Sequence, residues 1–117
     1  RALDFDFVNS PAYLPDGYRP SAALATTSAE DGRSVTTYYR RPEAEYGGDG
    51  IRITQSPSIN VLAPSGELAD VLSLKGVEAR WFPERGQLEW IEGRVYRSVT
   101  VPTGDLGTAL LVARSLR

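Results

Sequence analysis

The stretch V-E-A-R-W-F-P-E-R-G-Q-L-E-W-I-E-G-R-V-Y-R-S-V-T-V, Val77 to Val101, decides the fold. It reads as a meander of three antiparallel strands joined by two tight turns. Pro83-Glu84-Arg85-Gly86 marks the first turn, because proline presets φ for the first central position and a late glycine tolerates φ > 0. With Phe82 and Gln87 flanking that loop, Trp81 faces Leu88 and Ala79 faces Trp90. Glu92-Gly93 marks the second turn, pairing Ile91 with Arg94 and Trp90 with Val95. One face then collects Val77, Ala79, Trp81, Leu88, Trp90, Val95 and Val99. The other collects Glu78, Arg80, Gln87, Glu89, Arg94 and Tyr96. This alternation is what a sheet with one buried face requires. Arg80 falls opposite Glu89, a cross-strand pair worth about 0.3 kcal/mol. A slip of one residue would place both tryptophans in water, a loss of about 2–3 kcal/mol for each.

Downstream, the sequence predicts a C-terminal helix over 104–116. Thr103 reads as its N-cap, and Asp105 falls in the first turn, where a carboxylate suits the positive end of the helix dipole. Leu106, Ala109, Leu110, Ala113 and Leu116 recur at the spacing of one apolar helix face. Arg114 and Arg117 suit the other end of the dipole. This face is expected to pack on the apolar face of the sheet.

Upstream, residues 1–17 read as an extended N-terminal segment with Phe5 and Phe7 as anchors and a turn at Pro15-Asp16-Gly17. Tyr18 to Thr27 alternates like a first strand, with Pro20 favouring an edge or a strand start. Ser28 to Gly32 is a hairpin turn. Arg33 to Arg41 is a second strand rich in β-branched and aromatic residues. Pro42 to Gly50 is a loop. Ile51 to Gln55 is a short strand, interrupted by Ser56-Pro57-Ser58 and continued beyond a kink at Ile59 to Leu62. Ala63 to Leu68 is a connection, Val71 to Leu74 another strand, and Lys75-Gly76 a turn into the meander. The whole reads as one α+β domain over 1–117, a mainly antiparallel, strongly twisted sheet of about six to eight strands with one C-terminal helix.

A chain of 117 residues with 41% hydrophobic and 24% charged residues is one globular domain with a real core. Net charge is −2, and no basic stripe argues for nucleic acid or an anionic membrane surface. Cysteine is absent, so there is neither a disulfide framework nor thiol chemistry. Histidine is absent, which removes the commonest metal ligand and general base. The chain starts at Arg1 and has no methionine, so it is expected to be an excised or processed piece of a longer protein. No apolar run approaches the roughly 20 residues of a membrane span. Arginine greatly outnumbers Lys75, the sole lysine, a bias that fits a GC-rich genome better than a binding function.

Each candidate for chemistry meets a simpler reading. Gly47-Gly48-Asp49-Gly50 matches no phosphate-binding glycine motif and precedes a strand, not a helix, so it reads as a hairpin loop. Asp49 with Glu43 and Glu45 lacks calcium-loop spacing. A Ser-Lys hydrolase would have to use Lys75, in an exposed turn. Glu89 and Glu92 are paired carboxylates such as glycoside hydrolysis uses, but Glu89 is already explained by Arg80. Trp81, Trp90 and Tyr96 offer a carbohydrate platform, yet both tryptophans lie on the face that packs against the helix. Tyr38, Tyr39, Arg40 and Arg41 form the most plausible partner surface. No catalytic, cofactor-binding or metal-ligating residue is therefore assigned, no cofactor is expected, and ligand-binding residues stay unassigned.

Several motifs occur in a characteristic order: L-P-D-G-Y at Leu14–Tyr18, T-T-Y-Y-R at Thr36–Arg40, G-I-R-I-T-Q-S at Gly50–Ser56 and K-G-V-E-A at Lys75–Ala79. L-E-W at Leu88–Trp90, Tyr96 and A-R-S-L at Ala113–Leu116 complete it. Across nearly the whole chain this resembles a bacterial domain family of unknown function. That family forms the C-terminal extracytoplasmic part of anti-sigma factors and of lipoprotein-like secreted proteins. It carries no catalytic residues. The resemblance implies a non-enzymatic sensory or interaction domain, periplasmic or at the cell surface, tethered to the cytoplasmic membrane by a segment outside this chain. It would bind a protein or cell-envelope ligand and no nucleic acid. The alternative is a lipid or lipoprotein carrier-like domain with an apolar groove between sheet and helix.

Overall fold

The computed structural model describes residues 10–15, 17–26, 34–40, 50–57, 69–102 and 104–116, and over 20–26 it describes the backbone alone. Seven strands form one antiparallel sheet: β1 (Arg19–Thr26), β2 (Ser34–Arg40), β3 (Ile51–Pro57), β4 (Asp70–Leu74), β5 (Val77–Phe82), β6 (Gln87–Glu92) and β7 (Val95–Thr100). One helix, α1 (Leu106–Arg114), follows. The spatial order is β1-β2-β3-β7-β6-β5-β4. Two runs of consecutive strands, β1 to β3 and β4 to β7, are thus joined along a single ladder between β3 and β7. The α+β architecture expected from the sequence, with one C-terminal helix, is the one observed.

The first turn of the meander behaves as its residues dictate. Phe82 pairs with Gln87, Trp81 with Leu88, Arg80 with Glu89 and Ala79 with Trp90. Gly86 takes φ +62°, and a Cβ there would lie 2.7 Å from the carbonyl oxygen of Val101. The Gly86 carbonyl itself accepts from the Val101 amide at 2.9 Å. Only glycine meets both demands.

The second turn differs from the expected one. Gly93 and Arg94, not Glu92 and Gly93, form the loop, so Glu92 pairs with Val95, Ile91 with Tyr96 and Trp90 with Arg97. The reason is backbone geometry: a two-residue hairpin loop favours positive φ at its first position, and Gly93 supplies +64°. The shift is two residues along β7, so each side chain keeps its face. Its consequence is that Arg97, which lies between Val95 and Val99 on the apolar face in either register, stands opposite Trp90.

That inner face carries the core. Ile51 and Ile53 from β3, Leu88 and Trp90 from β6, Val99 from β7, and Ala79 and Trp81 from β5 are buried there against Ala109, Val112, Ala113 and Leu116. Leu14 and Tyr18 pack against the same cluster. Val112, outside the expected apolar set, is buried with Ala109 and Ala113.

The helix begins later than expected. Asp105, not Thr103, is the N-cap: its carboxylate accepts from the amides of Gly107 at 3.2 Å and Thr108 at 3.3 Å, and from the Thr108 hydroxyl at 2.8 Å. Aspartate is among the best caps, and Gly104 before it adopts φ +68°. The helix ends at Arg114, and Leu116 forms an isolated bridge to Pro11.

β3 runs through Ser56 to Pro57, which pairs with Val95, so the expected interruption does not begin at Ser56; Ser58 lies outside the described residues. Pro57 is the strand's last residue. Lys75-Gly76 is a two-residue turn with φ +54° and +84°. The turn ending in Gly17 closes with the Tyr18 amide donating to Pro15 at 3.1 Å. Phe5, Phe7, the turn at Ser28 to Gly32, the loop at Pro42 to Asp49, and the segments Ile59 to Leu62 and Ala63 to Leu68 lie outside the described residues.

Candidate functional site

Side chains alternate faces along a strand and opposed residues share one, so the register assigns every residue. The outer face, opposite the core, holds Arg80, Phe82, Gln87, Glu89, Tyr96 and Ser98 on the meander. It holds Thr36, Tyr38, Arg40, Arg52 and Thr54 on β2 and β3. Thr36 and Thr54 join by their hydroxyls at 3.1 Å.

Glu89 was expected on a wet face and is instead 7% exposed. Its two carboxylate oxygens are taken by two donors: Arg80 at 2.6 Å and the Tyr96 hydroxyl at 2.9 Å. Burial, with the neighbouring carboxylate of Glu89 adding to it, pushes the Tyr96 phenol up to about 12. Tyr96 therefore stays protonated and donates. Phe82, buried beside this group, carries the Arg85 guanidinium 4.4 Å and the Arg80 guanidinium 5.7 Å from its ring centre.

On the inner face, Arg97 and Gln55 are 6% and 1% exposed and paired across the β3–β7 ladder, and the Arg97 guanidinium donates to the Gln55 side-chain carbonyl. Glu92 approaches Arg97 at 3.5 Å and Lys75 at 3.9 Å, and accepts from the Trp90 indole at 3.2 Å. Burial lowers the Arg97 pKa, and the carboxylate of Glu92 opposes that shift. Lys75 also donates to the Leu116 carbonyl at 3.1 Å, tying the β4–β5 turn to the end of the chain's helix. Glu89 and Glu92, the paired carboxylates, thus lie on opposite faces of the sheet, each already held by its own donors. Trp81 and Trp90 are core residues on one face while Tyr96 is on the other, so they form no common platform.

The aromatic and basic patch at Tyr38 to Arg41 divides. Tyr39 points into the core, where burial raises its phenol pKa, because strand alternation turns it away from Tyr38. Arg41 lies outside the described residues. Tyr38 and Arg40 remain on the outer face, and the register adds two residues that the sequence did not single out. Arg19 on β1 sits opposite Arg40, and Arg52 on β3 sits opposite Tyr38. Arg19 and Arg52 are exposed, and Arg40 is half-buried. Among the described residues no hydrogen bond or ion pair engages any of the three guanidinium groups. A Cβ on Gly50 would lie 3.3 Å from Cγ of Arg40 and 3.0 Å from the Tyr39 carbonyl, so the missing side chain at Gly50 makes room for the Arg40 stem over β3.

Charge is distributed unevenly between the two runs of strands. β1 to β3 carry Arg19, Arg40 and Arg52 and no acid, whereas β4 to β7 carry Asp70, Glu78, Glu89 and Glu92 beside Arg80 and Arg97. The arginine corner was hidden in the sequence because its members lie 21 and 12 positions apart; only the β1–β2–β3 register gathers them. Gly47, Gly48, Asp49, Glu43 and Glu45 lie outside the described residues. Among the described residues no three His, Cys, Asp or Glu side chains gather as a metal site would need, and no helix is long and apolar enough to cross a membrane.

No family model, curated protein or solved structure matches the chain.

Proposed function

We propose that this chain is a non-enzymatic binding module, the extracytoplasmic sensory or interaction domain of a membrane-tethered regulator. One observation carries the binding role: the contrast between charges satisfied within the fold and charges left for an outside partner. Glu89, Glu92 and Asp105 are each held by donors of their own domain. An acid or base in catalysis needs reach to a substrate and a pKa near the working pH, whereas Tyr96, raised to about 12, is fixed as a donor to Glu89. By contrast, Arg19, Arg40 and Arg52 face outward from three adjacent strands. The location and the tether rest on the order of motifs from Leu14–Tyr18 to Ala113–Leu116 and its resemblance to anti-sigma factor domains.

The test uses the parent protein in its own cell. Protease added to spheroplasts should remove this domain, and a photo-crosslinker at Thr54 on the outer face should capture a partner. Resistance to protease until lysis would overturn the location. Turnover of a substrate by the purified domain, lost when one carboxylate is substituted, would overturn the non-enzymatic reading.

A further inference from the structure

We infer that the corner formed by Arg19, Arg40, Arg52 and Tyr38 is a docking site for an extended acidic segment of a partner polypeptide. The inference rests on the binding-module reading and names the chemistry of the partner. Like charges directly opposite each other on adjacent strands oppose folding, and Arg19 faces Arg40 across the β1–β2 ladder. A cation on an edge strand has a protective use, since charge discourages edge-to-edge association. That accounts for Arg19 on β1. It does not account for Arg52 on the interior strand β3, nor for the absence of any acid among the described residues of β1 to β3.

The corner is shaped as well as charged. Gly50 leaves room for the Arg40 stem beside the start of β3. Guanidinium groups pair with carboxylates through two parallel hydrogen bonds. Diagonal neighbours on a sheet face are about 7 Å apart, close to the roughly 6.7 Å between alternate side chains of an extended strand. Arg40 and Arg52 are such diagonal neighbours, so carboxylates at alternate positions of an extended segment can each reach one of the two long side chains.

The experiment is fluorescence anisotropy of the full chain with a labelled peptide of roughly ten residues alternating glutamate and threonine. The same peptide with glutamine for glutamate, and vesicles of phosphatidylglycerol and phosphatidylcholine, serve as comparisons. The acidic peptide is expected to bind and the glutamine peptide not. Arg40→Gln with Arg52→Gln should weaken binding about tenfold, and added salt should weaken it further. Circular dichroism checks that the variant is folded. Equal binding of both peptides, an unchanged affinity in the variant, or preferential binding to the vesicles would overturn the proposal. Coupling in melting temperature between that variant and Glu43→Gln, Glu45→Gln, Asp49→Asn would overturn it too, by assigning the arginines an internal partner. In the cell, crosslinking at Thr54 that survives Arg40→Gln with Arg52→Gln would sink the corner while leaving the binding module standing. Loss of every crosslink in the unsubstituted protein would sink the module itself.

Discussion

Tyr96 and Glu89 show how one buried contact sets a pH limit. A free phenol titrates near pH 10, whereas Tyr96 is raised to about 12 by burial and then by Glu89. The raised value means that folding favours the protonated phenol. Its contribution is fully present below about pH 10 and is lost as pH rises through about 12. The Tyr96 contribution to the unfolding free energy should therefore be level up to about pH 10 and fall beyond it; Tyr96→Phe should remove that part of the alkaline decline. Glu89→Gln should lower the phenol midpoint, read by absorbance of the tyrosinate, without returning it to the free value, because burial remains the larger cause. A second residue-scale expectation concerns Gln55, which accepts from the buried Arg97. Gln55→Ala removes an acceptor from a buried cation and should destabilise by about 2 kcal/mol in urea unfolding; a loss below about 0.5 kcal/mol would contradict the pairing. Neither contact was legible in the sequence. Arg97 alternates with Val95 and Val99, but the residue opposite it on β3 depends on a ladder between strands 42 positions apart.

Turns were the most legible elements. Pro83-Glu84-Arg85-Gly86 announced its register because proline fixes φ at the start of the turn and glycine admits the positive φ needed at its end. Gly93-Arg94 was displaced by one residue because Glu92-Gly93 and Gly93-Arg94 look alike until the positive φ is assigned to the first central position. The two glycines separate two costs of substitution. At Gly93 a Cβ meets nothing within 4 Å, so Gly93→Ala bears only the cost of positive φ, about 1 kcal/mol. At Gly86 the Cβ also meets Val101's carbonyl at 2.7 Å, so Gly86→Ala should cost about 2–3 kcal/mol. Thermal unfolding of the pair checks this, and equal losses would refute the crowding argument. The helix start was misread for a related reason: Thr103 and Asp105 are both good caps. The φ of +68° at Gly104 and the three bonds to Asp105 place the cap at the later one.

For the whole molecule, the sequence disclosed the meander from Val77 to Val101 and its covering helix, because those pairings are local. It did not disclose that β3 zips to β7, which is what orders the sheet and brings Gln55 to Arg97. It also left the cationic corner unseen, since each arginine alone is an ordinary polar residue on its strand. The order β1-β2-β3-β7-β6-β5-β4 places β3, β7 and β6 inside the sheet and β1 and β4 at its edges. Amide hydrogen exchange should accordingly be slowest at Ile53, Val99 and Leu88 and faster along β1 and β4. Protection of β1 equal to that of β7 would contradict the strand order.

The β3–β7 ladder also makes the molecule divisible. Residues 1–57 hold the whole of one meander, and residues 69–117 hold the whole of the other with its helix. Six residue pairs, from Arg52 with Thr100 to Pro57 with Val95, stitch the halves together. If the two parts are made as separate polypeptides, each keeps its own neighbour pairings; the first loses the β7 edge and the helix that covers Ile51 and Ile53, and the second loses the β3 edge and the bridge from Leu116 to Pro11. Mixed together, they should reassemble into a two-chain complex with the sheet restored. The seam would then act as a subunit interface, with Gln55 on one polypeptide answering Arg97 on the other.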